Sequence, residues 1–423
     1  MNPLKFIHFK HRTPHLKTAL VLSGGGSRGS FQIGVLKALK KLNIHIDMVV
    51  GTSAGALNAA MIATGSPDIA EQLWLSTDSK EIFQLDTEMP DIISTIKEKL
   101  HIDDDMFGNL SLPPDQFVGF ARDIISQGGV SSEGMKNLIE KYINEEKIRK
   151  NSMEFGLVTA EYPSLTGHKL MKEDIPQGKL GQYVQASASC FPFMQYCDID
   201  GKKFIDGGFC DNLPVSMAME QGAQRIIAVD LEAIGIVHDK DLEQAQKTTE
   251  FYHIKSSFDL GNFLNFDPIQ AQENIEYGYL ETMKAFHKLD GIKFFFKKDT
   301  IPANLLPMAD SCADVFQCDR KQIYTDSMLI DDLKMKVLDA QVSLKKSPFT
   351  HLTIQNIQNP AILKRRIFNI SKNLNKRAMT VYIAENIQEK GKESSFYHVP
   401  LLEIFSREIM AAEYLVSRKL LSN

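Results

Sequence analysis

Apolar positions along the chain fall into two kinds of pattern: short unbroken runs, and longer stretches where they recur every three to four residues. Thr18–Leu22, Ile44–Val50, Phe155–Ala160 and Arg225–Leu231 are of the first kind. Runs of that length predict strands buried on both faces of a parallel sheet. After the first run, Phe31, Val35, Leu36, Leu39 and Leu42 recur at helical spacing, with Lys37, Lys40 and Lys41 on the other side. After the second, Ala56–Ala63 is apolar apart from Asn58 and reads as a buried helix. Ala70–Trp74, Leu180–Ser189 and Ala271–Leu289 predict further helices, and Lys203–Ile205 and Ile292–Phe296 short strands. Strand–helix alternation of this kind implies an α/β fold with a parallel sheet covered by helices.

Chemistry gathers where strands end. The second run leads into Gly51-Thr52-Ser53-Ala54-Gly55, a serine between two glycines where a strand gives way to a helix. This suggests a nucleophile elbow, a turn so tight that only glycine fits two residues before and after the serine. The bland alternative is a small-residue turn of any α/β protein. The first run leads into Ser23-Gly24-Gly25-Gly26-Ser27-Arg28-Gly29, which has two readings. Gly24, Gly26 and Gly29 fit a dinucleotide-binding G-x-G-x-x-G, with Asp47 near the distance expected of a ribose-binding acid. Asp47, however, precedes the apolar core of its strand. As an oxyanion hole, the same loop would offer the N–H groups of Gly25 and Gly26, with Arg28 supporting the loop or holding an anionic headgroup. An elbow one strand later makes the oxyanion reading the more economical. Asp206, followed by Gly207 and Gly208, is either a turn aspartate bonding its own backbone or the general base for Ser53.

Composition narrows the function classes. The 423 residues are 43% apolar and 24% charged, with a formal net charge of −5, which gives no argument for nucleic acid as a partner. No run approaches a membrane span, and Met1–Lys17 is a basic arm without the apolar core of a secretory signal. Five cysteines at irregular spacing (Cys190, Cys197, Cys210, Cys312 and Cys318) fit a reduced, cytoplasm-like compartment, with export lacking a signal peptide left open. Asp103-Asp104-Asp105 lacks the spacing of a calcium loop and reads as a solvated turn. The stretch from Ser66 to Met153 is helical and irregular, where packing helices or a lid would sit.

Four segments, taken in order, resemble the blocks of the bacterial patatin-like phospholipase family. They are Ser23–Gly29, Gly51–Gly55, Ala186–Pro192 (Ala-Ser-Ala-Ser-Cys-Phe-Pro) and Asp206–Pro214 (Asp-Gly-Gly-Phe-Cys-Asp-Asn-Leu-Pro). The match runs from about Leu16 to Leu231, and Asp259–Phe266 and Tyr277–Tyr279 look like the tail of bacterial members. Ser23 stands where many members carry aspartate, and Cys190 replaces a usually aliphatic residue, which bears on acyl-pocket shape. The resemblance implies a three-layer α/β/α sandwich around a mainly parallel sheet, and a Ser–Asp dyad without histidine. It implies Ser53 as nucleophile and Asp206 as base. Gly24, Gly25, Gly26 and Arg28 would form the oxyanion region, and Gly51, Gly55, Gly207 and Gly208 the support of elbow and dyad. The implied activity is hydrolysis of fatty acyl esters in phospholipids or related lipids, with neither metal nor organic cofactor. A Ser–His–Asp triad is the rival, with His238, His253, His287, His351 and His398 following Asp206 in the chain.

The expected organisation is a basic arm (1–15), a lipid acyl hydrolase domain (16–298) and a mainly helical C-terminal region (299–423). Residues 361–423 carry eleven Lys/Arg against six Asp/Glu. There Leu401, Leu402, Phe405, Ile409, Ala412, Leu415 and Val416 trace an amphipathic helix, whose apolar stripe serves either internal packing or peripheral contact with an anionic bilayer. A protein activator at this region is a further expectation. Two other classes remain open: a regulatory binding protein with latent activity, and a dinucleotide-dependent oxidoreductase.

Overall fold

Strand Thr18–Leu22 (β1) is flanked by Met48–Thr52 (β2) and Arg225–Asp230 (β7), both parallel to it, at the centre of an eight-stranded sheet. This computed structural model describes residues 15–83, 132–190, 194–346, 375–398 and 401–421. The basic residues Lys5, Lys10 and Arg12, the apolar positions Ile92 to Leu100, Asp103–Asp105, Phe191-Pro192 and His351 lie outside the described residues. The described chain divides into two compact units, Met1–Thr282 and Met283–Asn423.

In the first unit, every residue of β1 and of Met48–Val50 is fully or almost fully buried, which is why these strands read as unbroken apolar runs. Alternate positions serve opposite faces. Ala19, Val21, Met48, Val50, Ile226 and Ala228 pack on one face with Val215, Met217 and Ala218 of the helix Val215–Glu220 and with Ala245. The other face is covered by Ala54–Ala63 (α2), which packs on β1 and β2. Helix Ser30–Lys41 (α1) connects β1 to its parallel neighbour β2.

The second strand lies further along the chain than its apolar run suggests, at Met48–Thr52 and not Ile44–Val50. Ile44–Asp47 approaches the sheet but pairs only at its end, where the Asp47 N–H donates to Thr18 O (2.9 Å). The sheet is also less uniformly parallel than the strand–helix alternation implies. Glu154–Tyr162 (β3) runs parallel to β2, but Thr166–Met171 (β4) and Lys202–Asp206 (β6) are antiparallel to β3, and Cys197–Ile199 (β5) is antiparallel to β6. Glu250–Lys255 (β8) closes the other edge, parallel to β7.

The second unit is mainly helical. Helix Ser406–Ser417 packs on Leu306–Val315 and Lys376–Lys390, and Asp326–Lys345 packs on Lys376–Lys390. A small three-stranded sheet (Leu289–Asp290, Phe295–Lys297 and Ile323–Tyr324) accompanies them. Of the amphipathic stripe, Leu401, Phe405, Ile409, Ala412 and Leu415 are buried in this unit, so its apolar face does packing work; only Leu402 is well exposed. Tyr414, fully buried, anchors the same helix by donating its hydroxyl to Asp326 Oδ1 (2.7 Å). Among the described residues no helix is long and apolar enough to cross a membrane.

Candidate active site

The Gly51–Gly55 turn has the geometry of an elbow. Ser53 sits at φ 56° and ψ −125°, a strained backbone for a residue with a side chain. A Cβ on Gly51 would lie 2.4 Å from the carbonyl of Gly55, so the two glycines meet as tightly as the turn requires. The strained serine is held by its surroundings. Its N–H donates to Ser187 Oγ (3.0 Å), which in turn donates to Val158 O (2.6 Å). The neighbouring Thr52 hydroxyl donates to Asp211 O (2.8 Å).

Sheet register explains how Asp206 arrives beside Ser53. One edge of β3 pairs with β4, Val158 with Lys169 and Thr159 with His168. The opposite edge pairs with β2 as far as Thr52–Val158, and then with β6 from Thr159–Asp206 onward. The end of β6 therefore abuts the end of β2 along one edge, and the residue after Thr52 faces Asp206. Ser53 Oγ donates to Asp206 Oδ2 at 2.6 Å. Gly208 N–H donates to the other carboxylate oxygen at 2.8 Å, closing the Asp-Gly-Gly turn. Gly207 is confined by its neighbour, since a Cβ there would lie 2.2 Å from Val158 O.

Both side chains are buried, Ser53 at 9% and Asp206 at 6% exposure. Burial pushes the Asp206 carboxyl up to about 6, against the lowering pull of the Ser53 hydroxyl and the Gly208 amide. A carboxylate poised there, within hydrogen-bond reach of a hydroxyl, can act as a general base near neutral pH.

The glycine-rich loop lies against the elbow: a Cβ on Gly24 would fall 2.9 Å from Ser53 Cβ. Its amides are not equivalent. Gly24 N–H is spent on Asn212 O (3.1 Å) and Ser27 N–H on Phe263 O (2.8 Å). Among the described residues no acceptor takes the N–H groups of Gly25 and Gly26, nor that of Ala54 at the start of α2. Gly26 needs its left-handed backbone (φ +54°), and a Cβ there would strike Phe263 O at 2.0 Å. The Arg28 side chain turns to the loop's own support. It donates through Nε to Gly261 O (2.8 Å) and through one terminal nitrogen to Glu232 O (3.2 Å) and Leu231 O (3.4 Å). Of the four residues expected around an oxyanion, Gly25 and Gly26 thus offer donors, whereas the Gly24 amide and the Arg28 guanidinium act as braces.

A buried polar network beneath the loop escaped the sequence reading. Gln32 donates to Ser23 O (2.7 Å), Asn58 donates to Gly29 O (2.9 Å) and to Gln32 Oε1 (2.8 Å), and Trp74 Nε1 donates to Asn58 Oδ1 (2.9 Å). The one signal was Asn58 itself, a polar side chain in an otherwise apolar helix. Ser187 and Asn212, which hold the elbow and the loop, sat inside recognised motifs without a role of their own.

The rival readings lose their geometry. His253 bonds Asp230 (3.1 Å) and His238 bonds Cys210 O (2.9 Å), and no described histidine bonds Ser53 or Asp206. Asp47 lies at the amino end of β2, with its carboxylate on the Thr18 N–H, far along the sheet from the strand ends where a ribose would bind. All five cysteines are free thiols.

Compared with known proteins, residues 20–219 match the sequence model of the family described as patatin-like phospholipase. Over 215 residues the chain is 28% identical to patatin-like phospholipase domain-containing protein 7 of Rattus norvegicus. Over 221 residues it is 30% identical to lysophospholipase nte1 of Aspergillus terreus. These alignments cover 50% and 51% of this chain but only 13% and 12% of the two relatives. Among solved structures, VipD from Legionella pneumophila is similar with a TM-score of 0.42 and 15% identity, over 97% of this chain and 92% of that one. The type III effector protein ExoU is similar with a TM-score of 0.33 and 14% identity, over 94% and 86%.

Proposed function

We propose that the patatin-like phospholipase domain this chain carries hydrolyses acyl esters of lipids, with Ser53 as nucleophile and Asp206 as its base. The observation that carries this reading is the 2.6 Å hydrogen bond from Ser53 Oγ to a buried carboxylate with no histidine between them. Ser53 Oγ attacks the ester carbonyl carbon as its proton passes to Asp206 Oδ2. The oxyanion takes hydrogen bonds from the unengaged amides of Gly25, Gly26 and Ala54. When the intermediate collapses, the departing alcohol takes the proton from Asp206 and the acyl group stays on Ser53. Water then gives a proton to Asp206 as its oxygen attacks the acyl carbon. Ser53 recovers that proton as the fatty acid leaves.

A phospholipid or a related acyl-ester lipid is the proposed substrate, supported by relatives named as phospholipases and lysophospholipase. Ser23 and the Asp259–Phe266 segment support the bacterial branch of the family. With its substrate in a bilayer, the protein works at a membrane surface; the basic residues of the C-terminal part are the proposed contact, and a protein activator there belongs to the same proposal. The test is free fatty acid release from vesicles of mixed phospholipids. Wild-type protein releases fatty acid, while Ser53→Ala and Asp206→Asn, folded by circular dichroism, stay at background. Release by either variant would refute the pair, and no release by wild type, alone or with an added cell lysate as a source of activator, would refute the substrate class.

A further inference from the structure

We propose that the amino end of the sheet carries a binding site for a divalent transition metal of the zinc class, built from His15, His45 and Asp47. His45 and Asp47 stand two residues apart on the approach to β2, so their side chains share one side while Ile46 between them is buried. His15 comes from the segment leading into β1, and the pairing of that segment with Asp47 brings it alongside. The two imidazole Nε2 atoms converge on one carboxylate oxygen, His15 at 2.8 Å and His45 at 3.5 Å from Asp47 Oδ1. All three ligand atoms lie within 4.8 Å of one another.

This is the donor set a zinc ion takes, two neutral imidazoles and a carboxylate with a fourth position for water. Metal–ligand bonds of about 2.0–2.1 Å at tetrahedral angles place ligand atoms about 3.3 Å apart. The His45–Asp47 separation fits, and the His15–Asp47 pair needs to open by about half an ångström, which an exposed imidazole can do. The carboxylate is already oriented by a partner behind it, since Asp47 Oδ2 accepts the Thr18 N–H at 2.8 Å. Lys17 does not add a loose charge nearby, being held by Glu154 (2.6 Å) and Gln221 O (2.7 Å). Both histidines are exposed, so an ion has open access. Such an ion would staple the start of β1 to the start of β2, at the end of the strands remote from Ser53.

The experiment uses the full chain, stripped with a chelator and titrated with Zn²⁺ by calorimetry and with Co²⁺ by absorption. Wild type should bind one equivalent. The single variants His15→Ala and His45→Ala should each bind about tenfold more weakly or worse. Bound Co²⁺ should show tetrahedral d–d bands without a thiolate charge-transfer band, which separates this site from the free cysteines. Because both substituted side chains are exposed, folding is not at risk, and fatty acid release should match wild type. Equal affinity in wild type and the His15→Ala/His45→Ala double variant, or a thiolate charge-transfer band from Co²⁺ bound to wild type, would overturn the proposal, as would the absence of binding.

Discussion

Two buried aspartates end strands of the same sheet, and their environments drive them in opposite directions. Asp206 closes β6 and Asp230 closes β7, each 6% exposed. Burial is the largest influence on both and favours the neutral acid. At Asp230 it is outweighed by His253 (3.1 Å), the Glu232 N–H (2.9 Å) and Lys255 (3.1 Å), and the carboxyl falls to about 2. At Asp206, among the described residues, a hydroxyl and one amide alone oppose burial, and the carboxyl rises to about 6. Burial alone therefore does not make a base. What separates the two is that, among the described residues, no cation sits on Asp206, which leaves it a carboxylate that can gain and lose a proton near neutrality. Asp230, locked in the charged state, is a structural tie between β7 and β8.

The comparison breaks most visibly in turnover. Asp206→Asn removes the base and keeps the shape, so fatty acid release should fall by at least about a thousandfold, and the Ser53→Ala/Asp206→Asn double variant should be no worse than either single one. The same substitution should have the opposite effect on stability. Burial raises the folded-state value above the unfolded 3.8, so ionising Asp206 costs stability as pH rises from about 4 through about 6. Asparagine carries no such cost, and chemical denaturation at pH 7.5 should show Asp206→Asn more stable by about 1–3 kcal/mol, with the gain vanishing at low pH. A smaller effect belongs to the other strand end. Asp230 is lowered, so its contribution is present above about pH 4 and is lost as pH falls toward about 2. Lys255→Met should cost about 1 kcal/mol at neutral pH, a modest figure because the lysine is 41% exposed and water screens the pair. Turnover should stay unchanged; a loss there would mean that Asp230 is coupled to the site.

The strands and loops that carry Ser53 and the glycines were legible because they are local. Strand, tight turn and helix lie within ten or so residues, and each part has its own residue signature. Asp206 was legible only as a turn with two readings, for what brings it to Ser53 is the handover of one β3 edge from β2 to β6, a long-range antiparallel pairing with no local mark. The polar edge strand Thr166–Met171 went unread for a related reason: its burial is partial and its pattern weak. The division of labour among loop amides was also hidden, since it depends on Asn212 and Phe263 carbonyls supplied from distant segments. The C-terminal amphipathic stripe was readable as a stripe, but helical periodicity cannot tell packing from membrane contact. Burial of Phe405, Ile409 and Leu415 resolves it as packing.

The measurement that bears most directly on the Ser53–Asp206 account is the rate at which a fluorophosphonate labels the protein as a function of pH, followed by intact mass and peptide mapping. It needs no knowledge of the lipid. The account predicts one label, on Ser53, with a rate that rises through about pH 6 as Asp206 ionises and is lost in Asp206→Asn. Labelling of Asp206→Asn at the wild-type rate, or a label on a residue other than Ser53, would contradict it.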